Sequence, residues 1–95
     1  MIVQSGKELK ISGGIKYGLT AEASKLLSSA PEIKIIDFES SGGRISEATK
    51  LYELIVSHNL NTVANAVCLS ACTIAFAGGT ERWVGTPPVF NGVRS

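Results

Sequence analysis

Two short stretches hold the residues whose types and spacing can do chemistry: Ser40-Ser41-Gly42-Gly43 and Cys68-Leu69-Ser70-Ala71-Cys72. In the first, paired glycines permit a sharp turn and leave amide N–H groups uncovered by side chains. If a helix begins just after the turn, those amides and the helix dipole both favour negative charge. The chemistry this suggests is holding an anion or a developing oxyanion; the alternative is a plain turn between a strand and a helix. In the second stretch, Ser70 opens a helical pattern. It reads either as an ordinary N-cap or as a hydroxyl that attacks a carbonyl, where the resulting oxyanion needs donors at about 2.7–3.1 Å. The amide of Ala71 is one candidate donor, and that of Gly42 or Gly43 is the other. Cys68 and Cys72 read as small buried packing residues or as a local redox pair.

The elements around these stretches decide whether they can meet. Ile33, Ile35, Ile36 and Phe38 precede the glycine turn and read as a strand covered on both faces. From about Ile45 to His58, Ala48, Leu51, Tyr52 and Ile55 recur at helical spacing. Thr62 to Val67 is the next strand, and Cys68 to Cys72 opens a third helix, from about Ser70, that reaches Ala77 and is closed by Gly78-Gly79. Upstream, Met1-Ile2-Val3 and Leu9-Lys10-Ile11 are strand material around a turn at Ser5-Gly6-Lys7. Thr20 is the expected N-cap of a helix from Ala21 to about Ser29, which Pro31 stops. Arg82-Trp83-Val84 and Val89-Phe90 are expected short strands.

The alternation of strand and helix predicts a layered α/β domain with parallel strands. Both chemical stretches then lie at the C-terminal ends of neighbouring strands, where sites of open α/β sheets collect. Gly43 and Ser70 are expected on one edge.

With 95 residues, 44% hydrophobic and 18% charged, the sequence describes one small globular domain. A net charge of +1 with no basic run and few aromatics argues against nucleic acid as the main partner. No apolar stretch approaches the roughly 20 residues of a membrane span. The start, Met1 to Ser5, lacks a basic region and an apolar core, so no signal peptide is read and a cytoplasmic location is the default. The two cysteines have no second pair of ligands, so neither a metal site nor a cofactor is expected.

The pattern Leu9-Lys10-Ile11-Ser12-Gly13, Asp37 to Gly43, Cys68-Leu69-Ser70-Ala71-Cys72 and Ala77-Gly78-Gly79 resembles the Clp protease/crotonase superfamily. It is most similar to uncharacterised, often periplasmic, Clp-protease-like proteins of bacteria. The resemblance runs from about Leu9 to Arg94 and corresponds to the N-terminal half of that domain. It implies a layered sheet of repeated strand–turn–helix units, incomplete here, and a peptide or protein substrate. It also assigns roles: Ser70 stands at the nucleophile position, and Ala71, with Gly42 and Gly43, supplies the oxyanion amides.

Two departures matter. Ser41 replaces the proline usual in the turn. Arg94, in Gly92-Val93-Arg94, occupies the position of the histidine base, and arginine stays protonated; the acid would lie past Ser95. His58, the single histidine, is expected roughly 20 Å from the turn at 1.5 Å per helical residue. Lys25, Lys34 and Lys50 sit on earlier elements, with no reason to reach Ser70. The reading is therefore a serine hydrolase domain, truncated or degenerate and inactive as written. Two alternatives stand beside it. One is a non-catalytic module that binds a peptide backbone or a carboxylate. The other is a crotonase-like acyl-thioester site, although no residue reads a CoA moiety. Half a sheet would expose apolar surface, so self-association is expected.

Overall fold

The computed structural model describes residues 1–85 and the backbone of two short strands at 89–90 and 93–94. Ten elements follow in chain order: β1 (Ile2–Ser5), β2 (Glu8–Ser12), α1 (Leu19–Ser29), β3 (Ile35–Glu39), α2 (Ile45–Ser57), β4 (Asn61–Ala64), α3 (Ala71–Phe76), β5 (Arg82–Val84), β6 (Val89–Phe90) and β7 (Val93–Arg94). β1 to β5 form one sheet in sequence order; β6 and β7 pair separately. β1 runs antiparallel to β2, whereas β2, β3, β4 and β5 are parallel neighbours. The protein is thus a small mixed α/β fold with a five-stranded mixed sheet and three helices in the main body.

One hydrophobic cluster joins all three helices to one sheet face. Leu9, Ile11, Ile36 and Phe38 meet Leu19, Ala23 and Leu27 of α1, Ala48, Leu51 and Ile55 of α2, and Ala71, Cys72 and Ala75 of α3. Successive strand residues alternate faces, so the register places Lys10, Asp37 and Val63 together on the other face. Lys10 Nζ lies 3.0 Å from Glu39 Oε1 there. The expectation that β3 is covered on both faces holds, although the two faces differ in character. Ile35 to Phe38 are all buried, but Asp37 is among them and its face carries charge.

Helix ends depart from the local sequence signals. α1 begins at Leu19, with Gly18 in the cap position at φ 91°. Thr20 does not cap it. Its N–H instead donates to Glu47 Oε2 at 2.7 Å, and its hydroxyl donates to the Glu47 carbonyl at 3.2 Å. The cap of α1 is thus a carboxylate from the first turn of α2, supplied by tertiary packing. The strand expected over Thr62 to Val67 is Asn61–Ala64, whereas α3 starts at Ala71, next to the expected start near Ser70. Gly78 and Gly79 do follow α3, and for a packing reason. A Cβ on Gly78 would come within 2.9 Å of the Tyr52 carbonyl on α2, and one on Gly79 would collide with Thr62.

Candidate functional site

The sheet brings the two chemical stretches together. Ser40 pairs with Cys68 in an isolated parallel bridge just past the ends of β3 and β4. The Ser40 N–H donates to the Val67 carbonyl at 2.8 Å, and the Leu69 N–H donates to the Ser40 carbonyl at 3.0 Å. Gly42 is buried against the second stretch. A Cβ on it would lie 2.9 Å from Ser70 Cβ, 3.2 Å from the Leu69 carbonyl oxygen and 3.4 Å from Ser70 Oγ. Only a glycine permits this approach, and its φ of 124° also favours glycine.

The first turn is held from both sides. Ser40, 1% exposed, uses its hydroxyl twice: Oγ accepts from the Gly42 N–H at 3.1 Å and lies 3.3 Å from the Gly42 carbonyl. On the other side Ile15 donates to the Gly42 carbonyl at 2.9 Å and accepts from the Arg44 N–H at 2.9 Å. In this parallel pairing Gly43, between those two residues, turns its own N–H away from Ile15. That is the side on which Ser40 pairs with Cys68. Among the described residues the N–H of Gly43 has no partner, whereas that of Gly42 is bound to Ser40. The open choice between the two glycine amides thus narrows to Gly43, with Gly42 as the close-approach residue. Ser40 was not singled out from sequence. Its signal is a hydroxyl residue two places before a glycine, a side-chain turn motif that many loops share.

The second turn is unusual in its backbone. Ser70 adopts φ 53° and ψ −124°, outside both the helical and the left-handed wells. Such a conformation costs about 1–3 kcal/mol and persists only where the surroundings over-determine it. Here the restraints are visible. The Thr73 N–H and hydroxyl both donate to the Ser70 carbonyl, at 3.0 and 2.6 Å. The Cys72 N–H donates to the Leu69 carbonyl at 3.0 Å. Cys68 and Cys72 form a disulfide across Ser70, with Cα atoms 5.2 Å apart. Of the two cysteine readings, plain packing is therefore replaced by a covalent pair. The N-cap reading of Ser70 fails as well: its side chain makes no capping hydrogen bond, and the residue is exposed. The Ala71 N–H, like that of Gly43, has no partner among the described residues.

Beside the second turn lies an apolar groove of about 330 Å³, lined by Ala64, Val67, Cys68, Leu69, Phe76 and Val84 among others. Leu69 is 56% exposed and Val84 85% exposed at its margin. Among the described residues that line it, no side chain can serve as a base. Lys16 flanks the glycine turn on the Ile15 side: a Cβ on Gly14 would touch both the Lys16 stem and the Gly42 carbonyl oxygen. Lys50 sits 5.6 Å from the centre of the Tyr17 ring, in a groove between α1 and α2. His58 lies beyond the end of α2, its Nδ1 3.0 Å from the Leu54 carbonyl and 3.2 Å from Ser57 Oγ. α2 starts at the C-terminal edge of the sheet and spans 13 residues, so His58 emerges at the opposite edge, roughly 20 Å away. The side chain of Arg94 lies outside the described residues.

No group of metal-ligating side chains occurs among the described residues, and none of their helices is long and apolar enough to cross a membrane. Comparison with known proteins found no family and no curated relative that matches this chain.

Proposed function

We propose that Ser70 occupies the nucleophile position of a serine hydrolase site similar to that of the Clp protease/crotonase superfamily. The amides of Gly43 and Ala71 are its oxyanion donors, and the substrate is a peptide or protein. The carrying observation is the backbone of Ser70. A non-glycine residue held at φ 53° and ψ −124°, between a strand and a helix and pressed against a glycine, exposes its hydroxyl above the sheet edge. In the reaction, Ser70 Oγ attacks a carbonyl, and the charge that develops on the carbonyl oxygen is met by these two N–H groups, which have no partner among the described residues. Gly42 keeps the path clear of side-chain atoms.

A serine hydroxyl needs a base to take its proton. His58 is remote, and among the described residues the groove beside Ser70 offers none. With arginine at position 94, the chain is a hydrolase domain without its base and turns over slowly or not at all. The test is a fluorophosphonate probe on the wild type and on Ser70→Ala. The expected result is no Ser70-dependent labelling within minutes; stoichiometric labelling would show that a base is in place and overturn the inactive reading.

A second reading is favoured by the same two free amides beside an apolar groove: a non-catalytic site that holds a carboxylate or a peptide backbone. The exposed Leu69 and Val84 at the groove margin support self-association through this edge. Light scattering at micromolar concentration is expected to show species larger than the 10.0 kDa monomer. A clean monomer with sharp, dispersed NMR peaks would remove that proposal.

A further inference from the structure

The disulfide has no part in the hydrolase reading, yet its position relative to Ser70 is specific. Cys68 stands at the end of the strand path, fixed to Ser40 through the bridge, and Cys72 lies in the first turn of α3, fully buried in the core. The covalent link therefore joins a fixed strand end to a fixed helix start across Ser70, which among the described residues is the one non-glycine residue at this edge with positive φ. The remaining restraints on this turn are hydrogen bonds: the Thr73 N–H and hydroxyl donate to the Ser70 carbonyl, the Cys72 N–H donates to the Leu69 carbonyl, and the Leu69 N–H donates to the Ser40 carbonyl. The disulfide is the cross-link that closes the short loop from Cys68 to Cys72; without it only the loop's own backbone and these hydrogen bonds join the helix start to the strand end.

We propose that the Cys68–Cys72 disulfide is a redox-controlled clamp that sets the Ser70 turn. It is closed when oxidised; when reduced, Ser70 and Ala71 leave the geometry that aims the hydroxyl and the amide at a common ligand. Cys68 is half-buried and lines the groove, whereas Cys72 is inaccessible, so a reductant reaches the Cys68 sulfur. A dithiol is the chemical class that fits. One thiolate attacks Cys68 Sγ, and the S–S bond breaks with its electron pair passing to Cys72 Sγ, which takes a proton. The second thiolate of the dithiol then attacks the mixed disulfide, and Cys68 leaves as a thiolate that takes a proton. The dithiol ends as a disulfide, and two electrons and two protons have moved to the chain. The consequence for activity rests on the reading of Ser70 as the working residue; the structural consequence does not.

The experiment is amide hydrogen exchange by NMR on the intact chain, oxidised and then reduced with excess dithiothreitol, with Cys68→Ala/Cys72→Ala as a reductant-free equivalent. Reduction is expected to speed exchange at Cys72 and Thr73 by about tenfold or more and to shift the Gly43 and Ala71 resonances. Exchange in the β2–β3 ladder should stay within about twofold. Unchanged exchange at Cys72 and Thr73 would overturn the clamp. So would equal acceleration in the β2–β3 ladder, because the disulfide would then be a general staple. A fluorophosphonate probe run on both forms keeps the two questions apart. Local release with no labelling in either form leaves the clamp standing and bears only on the hydrolase reading.

Discussion

The two strand-to-helix turns lie side by side on one sheet edge, yet they meet the same geometric demand differently. After β3, the positive φ values fall on Gly42 and Gly43, and the turn is pinned by hydrogen bonds from Ser40 and Ile15. After β4, the positive φ falls on Ser70, and the turn is spanned by a disulfide. Where only backbone groups face the site, glycine takes the conformation at little cost. Where a side chain must be presented, the strain is accepted and the surroundings hold it. The helices that follow differ in the same way. α2 is braced to α1 by the Glu47 carboxylate, whereas α3 is tied to its own strand by a covalent bond.

The sharpest way to break the first turn is Gly43→Ala. The added Cβ would collide with backbone atoms of Ile15, and φ of 156° is unfavourable for a side chain. A loss of about 3 kcal/mol in urea unfolding is expected. A loss under about 1 kcal/mol would mean that the turn is loose. Next is the brace of α2. Glu47 is 3% exposed, and hydrogen bonding by Thr20 holds its carboxyl below the ordinary carboxylate range against the opposing effect of burial. A group whose folded pKa is depressed contributes stability above its unfolded pKa and loses it as pH falls through the folded value. Glu47→Gln should therefore cost about 1–2 kcal/mol at pH 7. Its urea midpoint should converge with that of the wild type as pH falls below about 4. Parallel pH profiles would show that Glu47 does not act through its charge.

Ser70→Gly probes the second turn directly. Relief of strain opposes the added freedom of the unfolded chain, so a change within about 1 kcal/mol, towards stability, is expected. Ser70→Ala should show no such gain, because it keeps the Cβ. A destabilised glycine variant would mean that Ser70 is not strained. The smallest effect belongs to His58→Gln. The residue is exposed at the far end of α2, so stability should change by less than about 0.5 kcal/mol and probe reactivity at Ser70 not at all. Any altered reactivity would place His58 in the site.

Much of the frame was legible because it is written in local periodicity. The stripe Ala48, Leu51 and Ile55 marked α2 within a residue of its ends, and Leu9-Lys10-Ile11 alternated as β2 does. Pro31 and the glycine pairs marked true boundaries. The shared edge for Gly43 and Ser70 followed from alternating elements, and the parallel pairing of β3 with β4 bears it out. What misled were residues whose local preference lost to a tertiary partner: Thr20, drawn to Glu47, and Ser70, which faces solvent instead of capping α3. Asp37, within an apolar run, took the charged sheet face beside Lys10.

By itself the sequence determined the order and type of the elements, the two small-residue turns and the hydroxyl that stands on one of them. These depend on side-chain spacing and on the few residues that tolerate a turn. Only the tertiary structure decided which amides are left open, because Gly42 is claimed by Ser40 and Gly43 is not. It also decided that Cys68 and Cys72 are bonded across Ser70. Both pairs are close in sequence, but whether they meet depends on the backbone path of each turn, which is held by Ile15 against the glycine turn and by Gly42 against Ser70, contacts between distant segments that no local pattern encodes.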